Sequence, residues 1–233
     1  MRCFTTTVAA FLLIGSTSQL VKAQDDRTST SKVQPADVQI EASRVYVFVE
    51  KTGLGHQHGV EAKLLKSSLV LGAKQDAGVL VFDMKSFDAD TAVARRYVGL
   101  TGTTDEKTRT AVNANMKGAA VLDVERYPTA KFDVSSVIAT GKTNNKGVPI
   151  YQLDGMFTLH GKQRPLSFTA EVDQARGWLH IKGVFSIKQT DFGITPYSKV
   201  LGAVGVADEL RIYGDLFVAP TEQVDMQSIP AKP

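Results

Sequence analysis

The sequence is poor in cysteine, with one residue, Cys3, in 233. Cys3 precedes the apolar run Val8-Ala9-Ala10-Phe11-Leu12-Leu13-Ile14, the wrong side of it for a lipoprotein anchor. Long hydrophobic runs are missing too: this one falls well short of the about 20 apolar residues that a helix needs to cross a bilayer, and no second run reaches that length. Basic Arg2 before it and the small residues of Val21-Lys22-Ala23 after it make residues 1–23 read as a secretory signal peptide, cleaved after Ala23. A chain processed there keeps no cysteine, which excludes disulfides and thiol chemistry. The expected protein is exported, to the periplasm or the extracellular space, without stable membrane insertion.

Charge of one sign is also scarce. Lys and Arg number 27 against 24 Asp and Glu, a formal net charge of +3. Cleavage after Ala23 would remove Arg2 and Lys22 and no acidic residue, leaving a nearly neutral chain. Such a balance gives no footing for nucleic-acid or anionic-membrane partners. Catalytic signatures are absent as well: there is no Gly-x-Ser-x-Gly elbow, phosphate-binding loop or His-Glu-x-x-His. Gly53-Leu54-Gly55 opens like a dinucleotide fingerprint, but Gly59 comes one residue late and no helix is expected after it. The chain is therefore read as a non-enzyme, with no catalytic residue assigned.

What is present is alternation. Tyr151, Leu153, Phe157 and Leu159 share one parity, Gln152, Asp154, Thr158 and His160 the other, and only Met156 breaks the pattern. After a tight turn at His160-Gly161-Lys162-Gln163, Leu166, Phe168, Ala170 and Val172 alternate with Ser167, Thr169, Glu171 and Asp173. Successive strand side chains point to opposite faces, so this is a β-hairpin with one apolar and one wet side. A lone hairpin is marginal and needs other strands to cover its apolar face. These are expected at Ser43 to Lys51, His58 to about Leu71, Gly78 to Met84, Ala130 to Thr140, Gly177 to Lys188 and Asp208 to Ala219. Between the third and fourth, Asp90 to Tyr127 loses the strand period. Thr103-Thr104-Asp105-Glu106 carries a capping-box spacing and Gly118 a stop, predicting a helix over about 104–117 with a thin apolar face, Val112 and Met116.

The expected fold is mainly β: an eight-stranded antiparallel barrel with one helical insertion between strands 3 and 4. Closure removes the exposed edges that a flat sheet would offer to other chains. A two-sheet sandwich remains the alternative. The domain is expected over 43–219, between a flexible leader (24–42) and a disordered tail (220–233).

Three stretches resemble the YceI-like family. They are Leu153-Asp154-Gly155-x-Phe157-Thr158-Leu159-His160-Gly161-x-x-Arg164-Pro165-Leu166, Tyr127-Pro128-Thr129-Ala130-Lys131-Phe132, and Gly183-x-Phe185-x-Ile187-Lys188-Gln189-Thr190-Asp191-Phe192-Gly193-Ile194. The resemblance implies a lipocalin-like barrel, exported, holding an isoprenoid lipid or quinone tail, with no other cofactor required. The Ala92 to Arg126 insertion is longer than in the best-known members, and Gly55-His56-Gln57-His58 occurs in only part of the family.

On parity, Tyr151, Phe157, Leu159, Leu166, Phe168, Leu179, Phe185, Ile187, Leu210 and Ile212 point inward and would line an apolar lumen for a hydrophobic small molecule. Gly155, Gly183 and Gly214 share that parity and would leave room along it. Asp191, Tyr197 and Lys199, in the Gly-rich loop, are candidates for a polar barrel mouth. Two alternatives stay open. His56 and His58, spaced i and i+2, could share a metal with His160, His180 or Glu61 as a third ligand, giving a metal-binding protein or metal-dependent enzyme. The barrel could also be filled solid, as a structural envelope protein.

Overall fold

A computed structural model describes residues 34–221. The expected signal peptide, most of the leader and nearly all of the tail lie outside the described residues. Among the described residues, eleven strands form one antiparallel sheet. Eight are long enough to build walls: β1 (Arg44–Gly53), β2 (His58–Ala62), β4 (Gly78–Asp83), β6 (Thr129–Thr143), β7 (Pro149–Leu159), β8 (Lys162–Ala175), β9 (Trp178–Lys188) and β11 (Val204–Val218). The other three, β3 (Ser68–Leu69), β5 (Asp88–Ala89) and β10 (Ser198–Lys199), are two-residue pairings at the margins. The order is β3-β4-β6-β7-β8-β9-β11-β1-β2-β5, with β10 on β11.

The two ends of that path meet. Just past β2, Leu65 N donates to Val81 O at 2.8 Å and Asp83 N to Lys63 O at 3.0 Å, while Leu64 bridges Phe82. The sheet thereby curls back on itself, satisfying edge groups that would otherwise recruit another chain.

The expected second strand, His58 to about Leu71, is broken rather than continuous. Ser67 is buried at 3 % exposure, and its hydroxyl donates to Leu65 O at 2.9 Å and accepts from Val81 N at 2.9 Å. A serine side chain that supplies bonds the ladder would have made turns the backbone aside. The leader also ends earlier than expected. Ala36 and Val38 are buried, and Val38 bridges Val218, so residues 34–42 pack on the barrel instead of extending from it.

The β7–β8 hairpin follows its alternation. Leu153 faces Phe168 and Leu159 faces Lys162 across it. The turn is two residues, His160 and Gly161, at φ 50° and 71°; positive φ at both centres matches the twist of the flanking strands.

The insertion after β4 holds β5 and two helices. α1 (Ala92–Tyr97), which the sequence reading missed, is capped by Thr91 Oγ1 accepting from Ala94 N at 3.0 Å. It lays the Tyr97 ring on Tyr46, with centroids 3.9 Å apart. α2 (Glu106–Lys117) lies where a helix was expected, but its cap is Asp105, accepting from Thr108 N at 3.0 Å. Thr103 of the expected capping box does not cap the helix, and the Thr104 hydroxyl donates to Asp90. α2 buries no residue fully. Polar groups hold it in place: Arg109 pairs with Asp88 and donates to Ala89 O at 3.0 Å. Asn113 accepts from Ala89 N at 2.9 Å and donates to Asp88 at 2.8 Å.

Candidate ligand cavity

Inward-facing residues of period two leave a gap at the α2 end of the barrel. Val45, Val47 and Val49 of β1 and Val60 of β2 form one wall, Phe157 and Leu159 another, and Phe185, Ile187, Leu210 and Ile212 a third. Val112 and Met116 of α2, with Val121 and Leu122 after it, close the end. The cavity measures about 170 Å³ and its lining is almost wholly apolar. A smaller one, of about 40 Å³, lies deeper, walled by Phe132, Leu153, Phe168, Gly183 and Gly214 among others. Val45, Phe82, Phe157, Phe185 and Ile212 border both. An aromatic cluster packs between them: Phe157 meets Phe185 edge-on at 6.4 Å, and Phe168 lies 4.7 Å from Phe185. The barrel is thus nearly filled around the aromatic cluster, with only the small void beyond it, and hollow toward α2.

Four polar side chains also reach the larger cavity: His58, Asn115, Gln189 and Tyr197. Gln189 Nε2 donates to Ala207 O at 2.8 Å, and Asn115 Nδ2 to the Tyr197 hydroxyl at 3.2 Å. His58 shares β2's inward face with Val60, and its Nδ1 lies 2.7 Å from Asp90 Oδ2. Asp90 is 5 % exposed and its backbone is left-handed, φ 58°. Its carboxylate also accepts from Gly59 N at 3.2 Å, Arg95 Nη1 at 3.1 Å and Thr104 Oγ1 at 3.1 Å. Burial alone would raise the Asp90 carboxyl. The hydrogen bond and attraction of His58, the Gly59 amide and the Thr104 hydroxyl outweigh that and hold it below the usual carboxylate range. Outside the cavity lies a polar depression of about 360 Å³, lined by Lys51, His56, Gln57, Arg95, Thr104 and Asp105 among others. His58 stands in the wall of both spaces.

A family model described as the YceI-like domain matches residues 22–217. The chain belongs to the YceI-like family. Among solved structures, BcnA from Burkholderia cenocepacia is 20% identical, with a TM-score of 0.51 over 78% of this chain and 99% of that one. A polyisoprenoid-binding domain from Saccharophagus degradans, implicated in plant cell wall breakdown, is 13% identical, with a TM-score of 0.55 over 81% of this chain and 100% of that one. At these identities the likeness is one of fold. A search of curated proteins gave no significant match.

In this YceI-like domain the residues expected to line a lumen divide into three groups. Phe157, Leu159, Phe185, Ile187, Leu210 and Ile212 border the larger cavity and Phe168 the smaller. Tyr151 and Leu179 are buried in the packed core, with Leu166 against it, and none of the three borders either cavity. The three glycines differ from their expected common role. A Cβ on Gly155 would sit 2.1 Å from Asp133 O, where the β6–β7 register shifts, so this glycine allows close strand approach. The space beside Gly183 is taken by the Phe168 ring, 2.7 Å from such a Cβ; Gly214 alone faces open space.

At the expected mouth, Tyr197 borders the cavity and Lys199 places its ammonium 5.5 Å from the Tyr197 ring centroid. Asp191 is exposed on a 3₁₀ turn (Gln189–Phe192) and does not border the cavity. His56 is exposed while His58 is tied to Asp90. His160 lies against Tyr127 at 4.4 Å, and His180 Nε2 is 2.6 Å from Asp215. Among the described residues no group of three or more His, Cys, Asp and Glu side chains is gathered for a metal. The sequence reading missed the β1 valines, although Val45, Val47 and Val49 alternate plainly. It also missed Asp90, Arg95 and Asn115, which no local pattern marks.

Proposed function

We propose that this domain binds a hydrophobic small molecule, an isoprenoid lipid or quinone-like compound, in the cavity under α2 and carries it unchanged. The observation that carries the reading is an apolar void of about 170 Å³ inside a barrel whose inward faces are otherwise packed. An apolar cavity of about 150 Å³ stays dry and takes up a benzene-sized guest. The void here therefore suits a ring or roughly one isoprene unit, with a longer chain running out through the mouth. Each buried methylene contributes about 0.8 kcal/mol, so a five-carbon unit brings about 4 kcal/mol before the cost of ordering the ligand. The polyisoprenoid-binding description of the Saccharophagus degradans domain supports the same ligand class. Export to the periplasm or beyond belongs to this proposal, as does a role that needs no further cofactor.

The test is uptake. Protein purified from a membrane-containing host, then incubated with a short prenyl quinone, is expected to carry one such molecule in native mass spectrometry. Protein that arrives empty and stays empty with the quinone in excess would overturn the reading.

A further inference from the structure

The His58 imidazole has one nitrogen committed and one open. Nδ1 faces the Asp90 carboxylate at 2.7 Å, which, being ionised, can only accept; Nδ1 therefore carries the proton. Nε2 makes no hydrogen bond to any described residue, yet among the described residues no buried side-chain nitrogen or oxygen lacks a partner. Nε2 is thus open to the space around it, and the ring borders both the apolar cavity and the polar depression. The Asp90 node that holds the ring has every sign of a fixed mount: Arg95 and Thr104 lock the carboxylate. Arg95 is itself anchored on Thr101 O at 2.6 Å and Gly102 O at 3.0 Å.

We infer that His58 is the head-group anchor of the cavity, and that its ligand is an amphiphile with an apolar chain and a hydroxyl head, such as a prenyl alcohol, phenol or hydroquinone. The inference rests on the proposed binding function and specifies its ligand: a quinone is held by its apolar part alone, and a hydroxyl head adds the bond to His58. With the proton fixed on Nδ1, a neutral His58 offers a lone pair at Nε2, which a ligand O–H can satisfy and an ether or carbonyl oxygen cannot. If the ring is protonated, the same hydroxyl accepts instead. A hydroxyl is the simple head that serves both states. The chain runs inward among the valines while the head stays at the junction with the depression, where water can meet its remaining valences.

Farnesol and farnesyl methyl ether share one chain and differ in the O–H. A net hydrogen bond contributes about 0.5–1.5 kcal/mol, a factor of roughly two to twelve in affinity. Calorimetry at about pH 9, above the ordinary histidine range so that the ring is neutral, is expected to show wild type binding farnesol tighter by that factor. His58→Phe, which keeps the wall apolar, is expected to bind both equally, at about the wild-type affinity for the ether. A second readout needs no variant: the ¹⁵N resonance of His58 Nε2 moves with farnesol and not with the ether. Equal binding of the two compounds by wild type, discrimination that survives His58→Phe, or an Nε2 resonance that ignores farnesol would each overturn the anchor while leaving the cavity reading intact. Binding of neither compound by wild type would overturn both.

Discussion

Asp90 gathers four donors on one buried carboxylate, from His58, Gly59, Arg95 and Thr104. Removing its charge takes the carboxylate partner from the half-buried Arg95 guanidinium, which keeps its bonds to Thr101 O and Gly102 O, and a hydrogen bond to a charged group contributes about 1.5–3 kcal/mol. Asp90→Asn keeps the left-handed backbone, which Asn tolerates, and removes the charge while exchanging one acceptor oxygen for an NH2. Urea unfolding at pH 7 is expected to show that loss. The pH dependence has a definite sign. A carboxyl held below its unfolded value, about 4, stabilises the fold above that value and loses the contribution as pH falls further through its folded value. Wild type should therefore weaken on acidification below about pH 4 more steeply than Asp90→Asn; parallel curves would mean that Asp90 is not the group responsible. None of this was legible from the chain, because His58 and Asp90 are far apart in sequence and Asp90 sits in no motif. The His-x-His spacing does single out His58, but as half of a metal pair. The ring's tie to Asp90 is a tertiary fact.

Strands show the opposite case. The parity of Tyr151 to Leu159 and of Leu166 to Val172 is legible because one face is buried and a one-residue slip would turn every side chain over. Their partner registers follow from it. The glycines within the strands are less legible, since the sequence does not say whether a missing Cβ faces a void or a neighbour. Two substitutions separate these meanings. Gly155→Ala pushes a methyl against Asp133 O of the paired strand and is expected to cost about 1–3 kcal/mol, as overpacking does. Gly214→Ala meets nothing within 4 Å and is expected to stabilise by about 0.5–1 kcal/mol, by limiting the unfolded chain. Thermal melts of the two variants should move in opposite directions; a shared direction would refute the assignment. The helices were half legible. α2 announces itself by length and a Gly stop, but its cap is Asp105, not Thr103 of the expected capping box. α1, six residues long, is too short for a period to show.

At the scale of the whole molecule, a closed sheet with a lid-like helix leaves a choice between a filled core and a carrier, and pattern alone cannot make it. Parity says which residues face inward, not whether they meet. Phe157, Phe168 and Phe185 do meet and leave only a small void, while the valines of β1 and the thin face of α2 do not, and the larger void lies between them. A ligand there adds stability by mass action, about 2.7 kcal/mol at a hundredfold excess over its dissociation constant. Ile187 borders the void and not the smaller cavity, so Ile187→Trp should fill the space and spare the fold. The most direct measurement is native mass spectrometry of wild type beside Ile187→Trp, each offered a short prenyl quinone. The expected result is one molecule on the wild type and none on a variant that is still folded by circular dichroism; a wild type that takes up nothing, or a filled variant that binds as well, would contradict it.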